Sequence, residues 1–234
     1  WKYIKLVFKY QKLFKLRQTT YTALVEKKIN FDIPTIFYAL HFEPERTTIP
    51  ELIKFKNQLS IIKAIAQSLP EGWQLVVKEH PRQHLYDLRD IHFRSPKFYR
   101  EIKEIKNVIL APIDFNKDSL IEKCKIIATI TGSISFEGLI KGKPCIIFGD
   151  SWLQQCESVK FISSEQSLKK SILYLQNKKS TDVKQDIAKY IQNIAKYLVY
   201  SSHSDKHLRI RKAYFKTNYS TLITNLTSAI IQRL

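Results

Sequence analysis

The sequence predicts an α/β chain: a Rossmann-like doubly wound parallel sheet with a helical cover made by its last third. Two observations carry that expectation. Short apolar runs alternate with stretches of helical periodicity from Pro34 to Phe148, the order in which a parallel sheet covered by helices is threaded. The runs are also near-continuously apolar, as strands buried on both faces must be. Length and composition agree, since 234 residues with 44% hydrophobic and 26% charged side chains suit one large globular domain plus a helical attachment.

Residues 1–17 read as a basic amphipathic helix, with Lys2, Lys5, Lys9 and Lys12 on one face and Tyr3, Val7, Tyr10 and Phe14 on another. No acid interrupts it, so it suits either an anionic membrane surface or a linker packed on protein outside this chain. Thr35–Leu40 is the first predicted strand. Pro50 opens a predicted helix with Leu52, Phe55, Leu59, Ile62 and Ala66 on one face. Trp73–Val77 follows as a strand, and Ser95 with Pro96 caps a helix reaching about Ile105. Then come a strand at Val108–Ala111, a helix at Ser119–Cys124, a strand at Ile126–Thr131, a helix at Ser135–Ile140 and a strand at Cys145–Phe148. Ser167–Gln176, Asp182–Tyr200 and about Asn218–Leu234 read as helices. The expected organisation is a helix or linker over 1–33, a Rossmann-like domain over 34–180, and helices over 181–234 packing on that domain.

Several classes fall away on composition. No apolar run reaches the roughly 18 residues that a spanning helix needs. Cys124, Cys145 and Cys156 are odd in number and have no metal-ligand spacing, which with the lack of a secretory signal points to reduced thiols in a cytoplasmic protein. The chain begins at Trp1 and contains no Met, so it is expected to be a fragment. The net charge of +18 would attract polyanions such as nucleic acid, anionic lipid or phosphorylated substrates, although a lysine-rich source composition explains it equally well.

Ligands of open parallel sheets bind beyond the carboxyl ends of the strands. His41, Glu43, Glu45 and Arg46 follow the first predicted strand, and Lys78, Glu79, His80 and Pro81 follow the second. Thr131, Gly132, Ser133 and Ser135 follow the fourth, so three polar clusters should converge on one cleft. Gly132 permits a tight turn, and hydroxyls and amides at the following helix start offer donors to a phosphate, or else Ser133 or Ser135 merely caps the helix. There is no P-loop lysine and no GxGxxG, which excludes ATPase and dehydrogenase readings. Pro81 holds His80 extended, aimed into the cleft, where an imidazole could donate to or protonate a departing phosphate. The same proline argues against a helix that would pair His80 with His84 on a metal. Glu43 and Glu45 could activate an acceptor hydroxyl, or pair with Arg46 to brace their loop.

Four motifs in order, His41-Phe42-Glu43-Pro44-Glu45-Arg46, Lys78-Glu79-His80-Pro81, Thr131-Gly132-Ser133 with Glu137-Gly138-Leu139-Ile140-Lys141-Gly142-Lys143-Pro144, and Phe148-Gly149-Asp150-Ser151-Trp152, resemble the capsule polysaccharide biosynthesis family. That family includes Kdo transferases and is distantly similar to bacterial sialyltransferases. The resemblance spans about residues 34–152. It implies the donor-binding domain of a GT-B glycosyltransferase, with His80 on the donor phosphate, Gly132, Ser133 and Ser135 lining the phosphate site, and Glu137 on the ribose. It also implies a CMP-activated keto sugar such as Kdo as donor substrate, a glycan or glycolipid acceptor, and neither a metal nor a bound cofactor. The family's amino-terminal domain, with part of the acceptor site and often the catalytic carboxylate, is not recognisable in residues 1–33. Leu153 follows Trp152 where the family often has Tyr. Other readings remain open: a CDP-glycerol glycerophosphotransferase-like or UDP-sugar epimerase-like enzyme, a basic nucleic-acid-binding protein, or a scaffold that kept the fold and lost the chemistry.

Overall fold

The computed structural model describes residues 2–45, 55, 57–85 and 94–195. Arg46, Pro50, Leu52, His92 and the helix expected at 218–234 lie outside them. The chain divides into a compact unit of Trp1–Ala188 and a second of Lys189–Leu234, of which only residues 189–195 are described.

Six parallel strands form one sheet in the order β3-β2-β1-β4-β5-β6. They are β1 (Thr35–Ala39), β2 (Gln74–Lys78), β3 (Val108–Ala111), β4 (Ile126–Thr129), β5 (Cys145–Ile147) and β6 (Val159–Phe161). The first two are apolar and buried almost throughout, the signature of strands covered on both faces. Trp73 stays outside β2, and β4 stops at Thr129, two residues earlier than its apolar run suggests. β6 is absent from the sequence reading, because three residues between polar turns leave too short a pattern to register.

The helices are α1 (Lys2–Leu24), α2 (Gln58–Ser68), α3 (Pro96–Lys103), α4 (Lys117–Lys123), α5 (Ile134–Ile140), α6 (Glu165–Leu175) and α7 (Ser180–Ile194). Their starts are set by side-chain caps. Asn57 accepts from the Ser60 amide while Ser60 returns a bond to the Asn57 amide, so α2 begins at Gln58 and Phe55 lies in a bend before it. Ser95 caps α3 with Pro96 in the first turn, as its sequence predicts, and Asn116 caps α4. The end of α5 closes as a Schellman turn, in which Gly142 (φ 78°) donates to Leu139 and Lys143 to Gly138.

Helices lie on both faces. Ile61, Ile62 and Ile65 of α2, Tyr99 and Ile102 of α3 and Leu168 and Ile172 of α6 pack with Ile36, Tyr38, Leu75, Val77 and Ala128 in one core. Each fully buried isoleucine contributes about 1.5–3 kcal/mol. On the opposite face α5 lies against β4 so closely that a Cβ on Gly138 would stand 2.1 Å from Ile127 Cδ1.

The first helix extends to Leu24, seven residues beyond the basic segment. Its last turns pack on this chain's own domain: Tyr21 and Arg17 are buried, and α1 lies against α3. Its other side displays Ile4, Phe8 and Leu16, at 50%, 65% and 47% exposure, among exposed Lys5, Lys12 and Lys15. Apolar residues thus occupy both faces, and the simple division into a lysine face and an apolar face does not hold. Among the described residues no helix is long and apolar enough to cross a membrane.

Candidate functional site

In the order β3-β2-β1-β4-β5-β6 the chain runs outward in both directions from the β1/β4 pair, which makes their carboxyl ends the expected ligand crevice. A cavity of about 670 Å³ opens there, lined by His41 and Glu45 after β1, by Lys78 at the end of β2 and His80 beyond it, and by Thr129 at the end of β4 with Thr131, Gly132, Ser133 and Glu137 beyond it. The three polar clusters do meet in one cleft. Lys117, at the start of α4, completes the wall.

His41 is buried between two partners. Its Nε2 lies 3.0 Å from Thr129 Oγ1 and accepts the Thr131 amide at 3.4 Å, while Nδ1 lies 3.6 Å from Glu45 Oε2. An Nε2 that accepts leaves the proton on Nδ1, facing Glu45. The bond to His41 is the chief reason the Glu45 carboxyl sits below its usual range. Gly132 belongs to the same cluster: its amide donates to Thr129 Oγ1, and a Cβ there would stand 2.8 Å from that oxygen and 3.3 Å from His41 Nε2.

His80 projects from the other side with an extended backbone (φ −67°, ψ 127°), as the following proline requires. Pro81 does not, however, prevent helix: Pro81–His84 form a 3₁₀ turn with His80 as its cap. Proline is at home in a first turn, where no backbone donor is required of it. His80 Nδ1 accepts the Arg82 amide at 3.2 Å, so the neutral ring carries its proton on Nε2 as a donor. Burial is the largest influence on this imidazole and holds it below the usual histidine range. Lys78, buried at the end of β2, is likewise lowered by desolvation. Across the cleft the Lys117 ammonium pairs with Glu137 Oε2, and Ser133 Oγ lies 3.3 Å from Glu137 Oε1.

Two expected members of the site face elsewhere. Ser135 Oγ donates to the Gly132 carbonyl at 2.7 Å, which braces the turn and withdraws the hydroxyl from the cavity. Ser133 forms no side-chain cap on α5. Glu43 does not line the cavity: it is buried, accepts from Gln58 Nε2 at 2.8 Å, and pairs with Arg94 at 3.1 Å. Arg94 thus braces Glu43, while the pairing expected with Arg46 lies outside the described residues.

Behind the cleft lies a buried polar frame. The Gln58 side-chain amide clasps the His41 backbone at both ends, accepting from His41 N at 2.8 Å and donating to His41 O at 3.1 Å. Gln83 clasps Glu43 in the same way, at 2.9 and 3.1 Å. Two side chains thus pair with the loop after β1 as neighbouring strands would. Arg17 of α1 in turn donates to the Gln83 carbonyl, and Tyr21 OH takes the Glu79 amide at 3.3 Å. Sequence reasoning missed Lys117, Gln58, Gln83 and Arg94. Lys117 was within reach, since it opens the helix that follows β3. The other three carry no local signal, because their roles depend on partners 15 to 53 residues away.

Residues 54–157 match the capsule polysaccharide biosynthesis protein family. The capsule-family match takes in Lys78–Pro81 and Thr131–Trp152 but begins after His41–Arg46, so that first motif stands on geometry alone. No curated protein matches the chain in sequence. Among solved structures, a Thermosulfurimonas dismutans KpsC β-Kdo 2,7-transferase is 15% identical, covering 70% of this chain and 50% of that one with a TM-score of 0.41. The UDP-GlcNAc 2-epimerase of Methanocaldococcus jannaschii is 14% identical, covering 76% and 49% with a TM-score of 0.47. The chain spans about half the length of either structure.

Proposed function

We propose that this chain is the donor-binding half of a GT-B glycosyltransferase of surface-polysaccharide assembly, and that its cleft holds a nucleotide sugar. The observation that carries the reading is the convergence, at the β1/β4 crevice, of His80, Lys78 and Lys117 as donors with Glu137 as an acceptor, inside a segment that matches the capsule family. A phosphate placed among those donors would gain charge-assisted bonds, and Glu137 would accept from a ribose hydroxyl. As the glycosidic carbon–oxygen bond breaks, its electron pair passes to the phosphate oxygen. The Nε2–H of His80 is the donor that steadies this oxygen. Glu45, through His41, fixes the opposite wall. The donor proposed is a CMP-activated keto sugar such as Kdo, and the acceptor a glycan or glycolipid approached by a facing domain.

A thermal-shift panel of CMP, CDP, UDP, UMP and ADP tests this. At about one hundred times its Kd, a nucleotide that binds the folded chain adds roughly 2.7 kcal/mol of stability. CMP alone should raise the melting temperature. A response to UDP only would favour an epimerase-like site, one to CDP only a glycerophosphotransferase-like site, and no response at all would remove the donor reading.

We also propose that α1 rests on an anionic membrane surface on the cytoplasmic side, where a lipid-linked acceptor would be met. Exposed Phe8, Ile4 and Leu16 amid Lys5, Lys12 and Lys15 support this, each cation near such a surface contributing about 1 kcal/mol. Cosedimentation with vesicles containing phosphatidylglycerol, lost in high salt and absent with phosphatidylcholine alone, is the expected result. Equal binding to both vesicles refutes it.

A further inference from the structure

We infer that Arg94, which no sequence motif marks, is the positioning residue that fixes His41 and His80 relative to one another. Its side chain is 1% exposed, yet it reaches acceptors on both strand-end loops. Nη2 donates to the His41 carbonyl at 2.9 Å, and Nη1 lies 3.1 Å from Glu43 Oε2. Nε lies 2.9 Å from Glu79 Oε2, within ion-pair range but off hydrogen-bond alignment. The other oxygen of Glu79 accepts the backbone amide of His80 at 2.8 Å. One planar cation therefore meets the loop after β1 at two points and the loop after β2 at one, and each loop presents a histidine to the cavity.

The rest of the frame keeps the guanidinium in register. Phe98 packs under it with 4.3 Å between its centre and the ring, and Tyr99 OH donates to Glu79 Oε2 at 2.7 Å. Burial weakens the charged state of Arg94, but Glu79 and Glu43 more than offset that effect, so the cation is held firmly. A buried ionic triad is a poor source of net stability compared with well-packed apolar residues. What this triad supplies is geometry: a rigid fork of fixed donor directions spans acceptors that a lysine ammonium, as a point charge, cannot serve together.

The inference rests on the donor-site reading only in giving the histidines a task. Its primary test therefore uses the ligand-free full chain. Imidazole Cε1–Hε1 NMR signals of His41 and His80 are compared in the native chain, Arg94→Lys, Glu43→Gln and Glu79→Gln. Arg94→Lys should move both signals and weaken nucleotide binding at least about tenfold. Glu43→Gln should move His41 and spare His80, and Glu79→Gln should do the reverse. A folded Arg94→Lys with both signals unmoved overturns the proposal. So does a pair of glutamine variants that disturb both histidines equally, as a general loosening of the core would; this pair decides the matter if Arg94→Lys does not fold. If the expected pattern appears but the native chain binds no nucleotide, the positioning role stands and the donor-site reading fails.

Discussion

At Gly132 a methyl group would stand 2.8 Å from Thr129 Oγ1 and 3.3 Å from His41 Nε2, inside the cluster that orients the histidine. Gly132→Ala should therefore cost about 1–3 kcal/mol of stability through overpacking and weaken nucleotide binding at least about tenfold, both read from one thermal-shift titration. Unchanged binding would place the nucleotide elsewhere. His80 makes the opposite prediction, because the residue is exposed at the cavity and bonds the Arg82 amide through Nδ1, not Nε2. His80→Ala should lower transfer by the complete enzyme at least about a hundredfold with little change in melting temperature. The residues read correctly from sequence as cleft-lining, His41, Glu45, Lys78, His80, Gly132, Ser133 and Glu137, lie at a strand's carboxyl end, in the loop after it or, for Glu137, in the helix that follows. Glu43 and Ser135 follow strands too, but face inward. Position next to a strand end is written in the sequence; the direction in which a side chain leaves the loop is not, and for Glu43 it is set by Arg94 and Gln58, far along the chain.

Among the elements, α5 shows how one turn can serve two neighbours. Gly142 has φ 78°, and a Cβ there would also lie 1.9 Å from Ser180 Oγ at the start of α7. Gly142→Ala combines backbone strain with that collision and should destabilise by at least about 1 kcal/mol, since left-handed backbone alone costs a side chain roughly that much. Asn57→Ala, which removes half of a reciprocal cap, should cost about 1 kcal/mol without affecting nucleotide binding. Urea melts of both variants check these values. The periodicity of the sequence located β1 to β5 and each of the described α-helices because their apolar spacing is regular. The boundaries it missed were set by single polar side chains: Asn57 starts α2 and Asn116 starts α4. Proline 81 misled for a related reason, since a residue that forbids a helix interior is welcome in a first turn.

On the scale of the whole molecule, stability should decline in two stages on acidification. His80 and His84 are both held below the ordinary histidine range, chiefly by burial, so the unfolded chain takes up their protons first. Stability is thus complete above about pH 6.5 and falls as the pH drops below it, levelling once the folded chain is protonated too. A second loss follows below the usual carboxylate range, as Glu45 gains a proton and loses its bond to His41. Replacing both His80 and His84 with glutamine should flatten the first stage of a melting-temperature series. The three buried thiols give a second global measure. Burial pushes Cys124 up to about 12, Cys145 well above its ordinary value and Cys156 upward, so at pH 8 a disulfide reagent should label none until the fold opens. The two glutamine clasps carry the widest consequence. Gln58 clasps residue 41, and Gln83 clasps residue 43, through the main chain alone, so neither clasp depends on which side chain stands at 41. The loop is a socket whose shape outlasts its contents: the peptide path is held apart from the imidazole at 41, so exchanging that group should change the chemistry of the cleft without moving the loop that carries it.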